Sequence, residues 1–529
     1  MTILPHEPTV PEIHPLISPA EPVQRISPAV YLLALGSILL HIAVNIWSPY
    51  GFHRDEFLYI AMGTHLRLWQ MDFPPFIGIA ANITRAMLGE SLAAVRFFPP
   101  IAGAILMFLS ADIARRFGGK SFAQILAALA VLLSPVFLRP GNLFQPVVFD
   151  QLWWTLGCWV IIRWRQTADS RWWAVLGVVM GVGLLTKFSI GFFAVGTLTG
   201  LLATQHRRIL LTRWPWIALG LMLLIGSPSI VGQFMLGFPV VGEMRALQSV
   251  QLTHVSAFDF LSQQLLILGP PTLAIALAGV VVLLTSRRFV WARILGWTFV
   301  GSFAMLFFLH GKAYYIAPIY PAMIGAGAAV IELVAAGYKK ILFRSAVMVL
   351  VLAFGLFAMP FGLPVLPPAQ MARYGAAVGI GYAVKTNTGV KLQLPQDYAD
   401  LLGWEERVAE LSRVYQSLTA EQRAQAVILA SNYGEAGAID FLGPRSGLPH
   451  SVCAHGTYWF FGPGEKPGLI ALAIGFDESD LQENWRRVTA AAHIENELTV
   501  PEEQHLTIYL CEDEIRPIQE LWPLLGGRF

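Results

Sequence analysis

Residues 29–56, AVYLLALGSILLHIAVNIWSPYGFHRDE, decide how the rest of the chain is read. Ala29 to Trp47 is an apolar run with no Asp, Glu, Lys or Arg. As a helix it is long enough to cross a hydrocarbon core of about 30 Å. A few residues later Arg54, Asp55 and Glu56 stand together. A guanidinium and two carboxylates just past an apolar span put concentrated charge at a membrane surface.

The composition agrees with that start. The chain is 55% hydrophobic and only 13% charged, against roughly 25% charged in soluble proteins. That deficit, with repeated apolar runs near span length, reads as a polytopic α-helical membrane protein. The net charge of +2 offers no bulk attraction for nucleic acid. Cys158, Cys453 and Cys511 show no metal-ligand spacing and no disulfide framework. Residues 1–28, rich in Pro and Glu, lack the basic-then-apolar order of a signal peptide and read as a disordered cytoplasmic tail.

Further spans are expected near 94–114, 121–138, 149–167, 172–186, 188–205, 214–235, 260–285, 291–309, 313–337 and 345–366. That makes about eleven transmembrane helices within a membrane domain at 29–366. Basic residues cluster at or just past the end of every second span: Arg115, Arg116 and Lys120; Arg163, Arg165 and Arg171; Arg207, Arg208 and Arg213; Arg287, Arg288 and Arg293; Lys339, Lys340 and Arg344. Basic loops are retained in the cytoplasm. The N-terminus is therefore expected inside, with the 49–93 loop and the C-terminal region outside.

Within that outer loop, Glu56, Tyr59, Gly63, Arg67 and Gln70 recur at helical spacing. Leu58, Met62, Leu66 and Trp69 do the same on another face. The pattern predicts an amphipathic helix lying along the membrane surface, with Glu56 on its polar face. Asp72-Phe73-Pro74-Pro75 ends it, and a second short helix is expected at about 76–88. Charged residues return in the tail, where 367–529 is expected to be a soluble extracytoplasmic α/β domain. Asp397–Ser417 and Glu435–Leu442 have helical spacing. Ala426–Ser431, Leu469–Gly475 and His505–Cys511 read as strands. In an oxidising space Cys453 and Cys511 can pair or stay as buried thiols.

Polar residues at the outer span ends are the candidate site, because ionisable groups at membrane depth are costly and usually mark function. They are Arg54, Asp55, Glu56 and Asp72 in the first loop, and Arg139, Asn142, Gln145 and Asp150 in the second. Lys187 sits in a tight turn between spans, and His310, Lys312, Tyr314 and Tyr315 lie between spans nine and ten. Each also has a structural reading. Asp55 can cap the first-loop helix and Asp150 its span. Asp72 can be a turn residue, Lys187 and Lys312 can snorkel to headgroups, and Arg54 can pair with a neighbouring carboxylate.

The order of these features carries a resemblance. Arg-Asp-Glu opens a long first loop, Asp-Phe-Pro-Pro follows, and Asp150 heads a later span. With LLTKFS (Leu184–Ser189) and HGKAYYIAPIYPA (His310–Ala322), the membrane part resembles the GT-C glycosyltransferases. More specifically, it resembles the bacterial relatives of the dolichyl-phosphate-mannose–protein mannosyltransferases and the lipid A aminoarabinose transferases. The tail segment ILASNYGEAGAIDFLGPRSGLP (Ile428–Pro449) is similar to that of a bacterial subgroup of glycosyltransferases. The resemblance implies a polyprenyl-phosphate-linked sugar as donor, transferred with inversion to a hydroxyl acceptor at the outer face of the inner membrane. It also implies Asp55 as base, with Glu56 in support. The surroundings of Asp150 follow the family only loosely.

An acceptor hydroxyl needs a carboxylate to take its proton. A departing lipid phosphate needs cations, and Arg54, Arg139, Lys187 and Lys312 are the candidates. Asp72, Asp150, His310, Tyr314 and Tyr315 are expected to bind substrate or support the site. A membrane-anchored donor explains the lack of a Gly-rich nucleotide loop. No motif demands a metal and no cofactor is expected, although Asp55 and Asp150 can form a carboxylate pair for a divalent ion. The acceptor, whether protein, lipid A or polysaccharide, stays open. The C-terminal domain is expected to cover the site or select that acceptor. Two rivals remain from the residues alone: a transporter or lipid flippase using the charges as a path, and a non-catalytic scaffold using them as a salt-bridge network.

Overall fold

The structure is a computed structural model that describes residues 24–250, 252, 256–334, 339–379 and 389–525. The expected tail, through residue 23, and the last residues of the span expected at 313–337 lie outside the described residues.

Helices dominate the first two thirds of the chain. Among the described residues, five are long and apolar enough to cross a membrane: Pro28–Trp47, Leu92–Arg116, Val290–Phe308, Ala313–Val334 and Lys339–Gly362. Four bent helix pairs raise the number to nine if each pair counts as one span. Pro146–Thr167, Trp172–Thr186 and Ile190–Leu202 fall on three more of the expected spans. Large parts of these helices share one apolar core, with Trp154, Phe193, Met323 and Ile324 fully buried.

Three expected spans are not straight. The one at 121–138 bends by 70° after Leu132, where Pro135 starts a new helical segment and cannot continue the old one. There Ser134 turns its hydroxyl onto the carbonyls of Ala130 and Leu268 at 2.7 and 2.8 Å. The one at 260–285 is a helix pair, Ala257–Leu268 and Pro270–Thr285, meeting at 109°. Gly269 supplies the left-handed φ of 82° before the double proline. The one at 214–235 breaks at Gly226.

Basic residues of several loops meet at one end of the bundle: Arg116 donates to Gln166 at 3.0 Å, Arg165 to the carbonyl of Trp291 at 3.3 Å, and the N–H of Lys120 to Glu332 at 2.7 Å. Arg115 and Arg116 both pair with Asp112, and Arg344 pairs with Glu332. Helix Phe98–Arg116 leads from that end to Arg96 at the other. Its 19 residues span about 28 Å at 1.5 Å per residue.

The C-terminal part is built on a five-stranded mixed sheet: β1 (Ala426–Ala430), β2 (Ser451–Val452), β3 (Ile470–Ile474), β4 (Trp485–Glu495) and β5 (His505–Glu514). The spatial order is β2-β1-β3-β5-β4. β1 runs parallel to β2 and β3, while β5 is antiparallel to β3 and β4. Three of the strands match the sequence expectation. β4 was missed because its arginines, alanines and histidine stand mostly exposed, without apolar alternation. Alternate residues feed two different cores. Ile428, Leu472 and Ile508 face one, with Cys453. Val427, Ala471 and Cys511 face the other. All three cysteines are buried free thiols, and the sheet separates Cys453 from Cys511.

The first of these cores is not confined to the C-terminal part. It also contains Phe52, Phe57 and Ile60 from the first loop and Val148 and Phe149 from a membrane helix. The first loop is thus packed between the bundle and the sheet. Its helix, Arg54–Thr64, has Glu56, Tyr59, Ile60, Met62 and Gly63 all buried. This corrects the expectation of an amphipathic surface helix: the helix stops at Thr64, residues of both expected faces (Glu56, Tyr59 and Gly63, but also Met62) are buried, and Arg67 and Gln70 lie exposed beyond its end.

Candidate active site

The site begins with how the first-loop helix starts. His53 is its N-cap: the ring Nδ1 accepts the backbone N–H of Asp55 at 3.1 Å. Glu56 closes the reciprocal bond by accepting the N–H of His53 at 2.7 Å. The cap is therefore His53, which leaves the Asp55 carboxylate free for other partners. That resolves the structural alternative for Asp55 against capping.

Glu56 is held completely. Arg96 donates Nε to Oε1 at 2.7 Å and Nη2 to Oε2 at 2.6 Å. The backbone N–H of Phe144 donates to Oε1 at 2.7 Å. Both side chains of the pair are 0% exposed. Burial alone pushes the Glu56 carboxyl up, but Arg96 and the two N–H donors outweigh it and hold the group below the usual carboxylate range. Arg96 also reaches Asn45 and the carbonyl of Gly51. Glu56, expected beside Asp55 as a catalytic group, is instead the centre of a structural knot and has no surface to offer a substrate.

Asp55 is different. Its side chain is 31% exposed. Oδ2 accepts from the Gln145 amide at 3.2 Å, and Oδ1 accepts from the Tyr433 hydroxyl at 2.9 Å. Tyr433 opens the helix Tyr433–Leu442 of the C-terminal part, far away in sequence. Burial and the Asp55 charge push its phenol well above the usual range, so it stays a donor.

The two candidate arginines are spoken for. Arg54 binds Asp400 at 2.9 Å and Glu502 at 3.0 Å. Arg139 binds Asp397 at 2.6 Å and the carbonyl of Phe361 at 3.2 Å. Burial raises the Asp397 carboxyl, yet Arg139 and His53 draw it below its ordinary value. Both arginines, expected as phosphate ligands, act here as ties to the C-terminal part.

The two candidate lysines are not. Among the described residues, neither Lys187 nor Lys312 has a carboxylate within 4 Å. Lys187 lies 5.6 and 5.2 Å from the ring centroids of Tyr314 and Tyr315, a cation–π arrangement. The two rings meet edge to face at 4.8 Å. Burial and the charge of Lys187 push Lys312 down to about 8, while Asp55 and Asp397 work against this. The same couplings place Lys312 in the electrostatic reach of both Lys187 and Asp55.

The remaining candidates divide. Asp72 accepts from Thr457 Oγ1 at 2.7 Å, and its backbone carbonyl accepts from Gln233. Burial raises its carboxyl to about 6. Asp150 is buried and accepts from Trp154 at 3.1 Å. His310 is exposed on a turn at φ 54°, and among the described residues its side chain has no hydrogen bond or ion pair. The residues that sequence reading missed are His53, Arg96, Asp397, Asp400 and Tyr433. Tyr433 had one usable signal: it lies inside the quoted tail segment, ahead of two glycines spaced for close helix packing. Among the described residues no group of three or more His, Cys, Asp or Glu side chains converges as a metal site.

Comparison with known proteins bears on this arrangement. A family described as dolichyl-phosphate-mannose-protein mannosyltransferase matches residues 72–231, a segment that carries Asp72, Arg139, Asp150 and Lys187 but not Asp55 or Lys312. No curated protein matches the chain in sequence. In structure it is similar to ArnT from Cupriavidus metallidurans bound to undecaprenyl phosphate, with a TM-score of 0.56 and 15% identity, covering 91% of this chain and 97% of that one. The apo form of the same protein gives a TM-score of 0.57 at 15% identity, with 91% and 98% covered. The chain is thus a multi-pass membrane protein with the GT-C fold of ArnT, similar over residues 72–231 to the dolichyl-phosphate-mannose–protein mannosyltransferases.

Proposed function

We propose that the chain is a glycosyltransferase that moves a sugar from a polyprenyl-phosphate donor to a hydroxyl acceptor, with Asp55 as general base. One observation carries this reading: a part-exposed carboxylate shares its surroundings with two lysines that have no carboxylate at ion-pair distance among the described residues. The carboxylate takes the acceptor proton as the new glycosidic bond forms. The lysines hold the phosphate of the donor and stabilise the charge it gains as the sugar leaves. With base and leaving group on opposite sides of the anomeric carbon, the displacement inverts its configuration. Lys187 and Lys312 take the phosphate role, because Arg54 and Arg139 are already neutralised by carboxylates.

The family description and the undecaprenyl phosphate bound to the similar ArnT structure support a lipid-phosphate donor. The basic end of the bundle supports the orientation. Basic loops stay in the cytoplasm, so the Asp55 end faces outward from the inner membrane and the C-terminal part is extracytoplasmic.

The test uses the full-length protein in sealed vesicles with undecaprenyl-phosphomannose and membrane lipids from the producing strain. Release of undecaprenyl phosphate that disappears in Asp55→Asn is the expected result. Transbilayer movement of the intact lipid-linked sugar, without cleavage, would establish a flippase instead.

A further inference from the structure

The base is held by two donors from different parts of the chain. Gln145 belongs to the membrane part and binds Oδ2; Tyr433 belongs to the C-terminal part and binds Oδ1. A carboxylate has about four acceptor positions. Two donors fix its plane and leave positions for an incoming hydroxyl.

The Tyr433 hydroxyl is itself aimed by its surroundings. Asn432 caps the helix, accepting the N–H of Gly434 at 2.9 Å and of Glu435 at 3.1 Å, which fixes the start of the helix. The Tyr433 ring stacks on His455 at 5.5 Å and 24°. The guanidinium of Arg54 lies 6.0 Å from its centroid, and Arg54 is anchored by Asp400 and Glu502. Two glycines allow the approach. A Cβ on Gly434 would stand 2.5 Å from Arg54 Cγ, and one on Gly437 would stand 2.6 Å from Phe57 Cβ. Only a side-chain-free helix face brings Tyr433 to the first-loop helix.

We propose that Tyr433 is a positioning residue for Asp55, so that the C-terminal part completes the reactive carboxylate. This rests on the reading of Asp55 as the base. A tyrosine that merely glued two domains together would affect stability. One that orients and stabilises a charged base affects the rate and its pH dependence.

The test compares Tyr433→Phe, Gly437→Ala and Asp55→Asn in the full-length protein, in vesicles made from a strain lacking the gene. Undecaprenyl phosphate release is followed across pH. Tyr433→Phe is expected to lower kcat about tenfold to a hundredfold with little change in donor KM, as for a lost hydrogen bond to a charged group. The acid limb of its kcat profile moves to higher pH, because the charged carboxylate loses a donor. Gly437→Ala, which leaves Tyr433 in place but crowds Phe57, moves the limb the same way. An unchanged kcat and acid limb in Tyr433→Phe, beside an inactive Asp55→Asn, overturns this inference and leaves the base reading intact. An active Asp55→Asn, or no release by the unaltered protein, overturns the base reading and this inference with it.

Discussion

Two charged regions at the same end of the bundle differ in one respect that separates structure from chemistry. Around Glu56 the charges are closed: Arg96 and two backbone N–H groups consume both carboxylate oxygens, and nothing is exposed. Around Lys187 and Lys312 the charges are looser: among the described residues no carboxylate lies within 4 Å of either ammonium, and Asp150 and Glu243 act on Lys187, and Asp55 and Asp397 on Lys312, only from farther off. A desolvated ion is stable only when its partners are complete. An incomplete set is costly unless something else supplies the missing charge. The closed region holds the first loop in place, and the open one is the part suited to an anion. Asp55 lies between these extremes, with two donors on its oxygens and surface to spare.

The sharpest way to break this contrast is at its middle. Asp55→Asn is expected to reduce lipid-phosphate release by about 10²- to 10⁴-fold, the usual worth of a general base. Its thermal midpoint should stay near that of the unaltered protein, since the cap is made by His53 and not by this side chain. An Asp55→Asn variant as active as the parent would move the chemistry elsewhere.

Glu56→Gln tests the closed region. Stranding the Arg96 guanidinium in a buried site is expected to cost about 3–5 kcal/mol, read as a marked fall in thermal midpoint. The fraction that remains folded should keep most of its activity. Loss of turnover without loss of stability would return Glu56 to the reaction.

Lys187→Met and Lys312→Met test the open region. Each removes a phosphate contact and is expected to weaken undecaprenyl phosphate binding by about tenfold, from a charge-assisted bond of about 1.5–3 kcal/mol. A pH signature accompanies this. Burial and the charge of Lys187 push the Lys312 ammonium down to about 8, and only its protonated form attracts phosphate. Binding should therefore weaken as pH rises above about 8, because the bound anion favours the protonated amine, and Lys312→Met should flatten that dependence. Titration calorimetry or fluorescence at several pH values reads it out.

The smallest expected effect is at Asp72. Its folded carboxyl is raised to about 6 by burial, above the unfolded value. The native state therefore binds the proton more tightly, and its contribution to stability is lost as pH rises from about 4 through 6. Asp72→Asn keeps an acceptor for Thr457 while removing the charge. It should raise the thermal midpoint at neutral pH by a few degrees, for a gain of about 1–2 kcal/mol, and leave the midpoint at low pH unchanged. A lower midpoint at neutral pH would mean that the charge itself is needed there.

The candidate site was legible in part. Asp55, Lys187 and Lys312 stood out because an ionisable group beside an apolar run needs a reason, and local sequence displays that conflict. Glu56 stood out equally, and its neighbourhood in the chain says nothing about Arg96, which lies 40 residues on. Arg54 and Arg139 were legible as cations but not as cations already paired, because their carboxylates, Asp400 and Asp397, come from the far end of the chain. The bends at Ser134 and Gly269 were signalled by proline and glycine, whereas their angles depend on what the two halves pack against.

Apolar run length, charge deficit and the rhythm of basic loops are local quantities, counted along the chain. The sequence by itself therefore determined that this is a multi-span helical membrane protein with an α/β tail, and that its charged residues are worth suspecting. Which carboxylate is closed and which is open depends on partners brought from 40 to 378 residues away. Only the tertiary structure decided that Glu56 is sealed by Arg96, that Arg54 and Arg139 are tied to the C-terminal part, and that Tyr433 reaches Asp55. The physical reason is that a charge is defined by its surroundings: the cost of desolvating it and the donors that offset this cost exist only after the chain has folded around it.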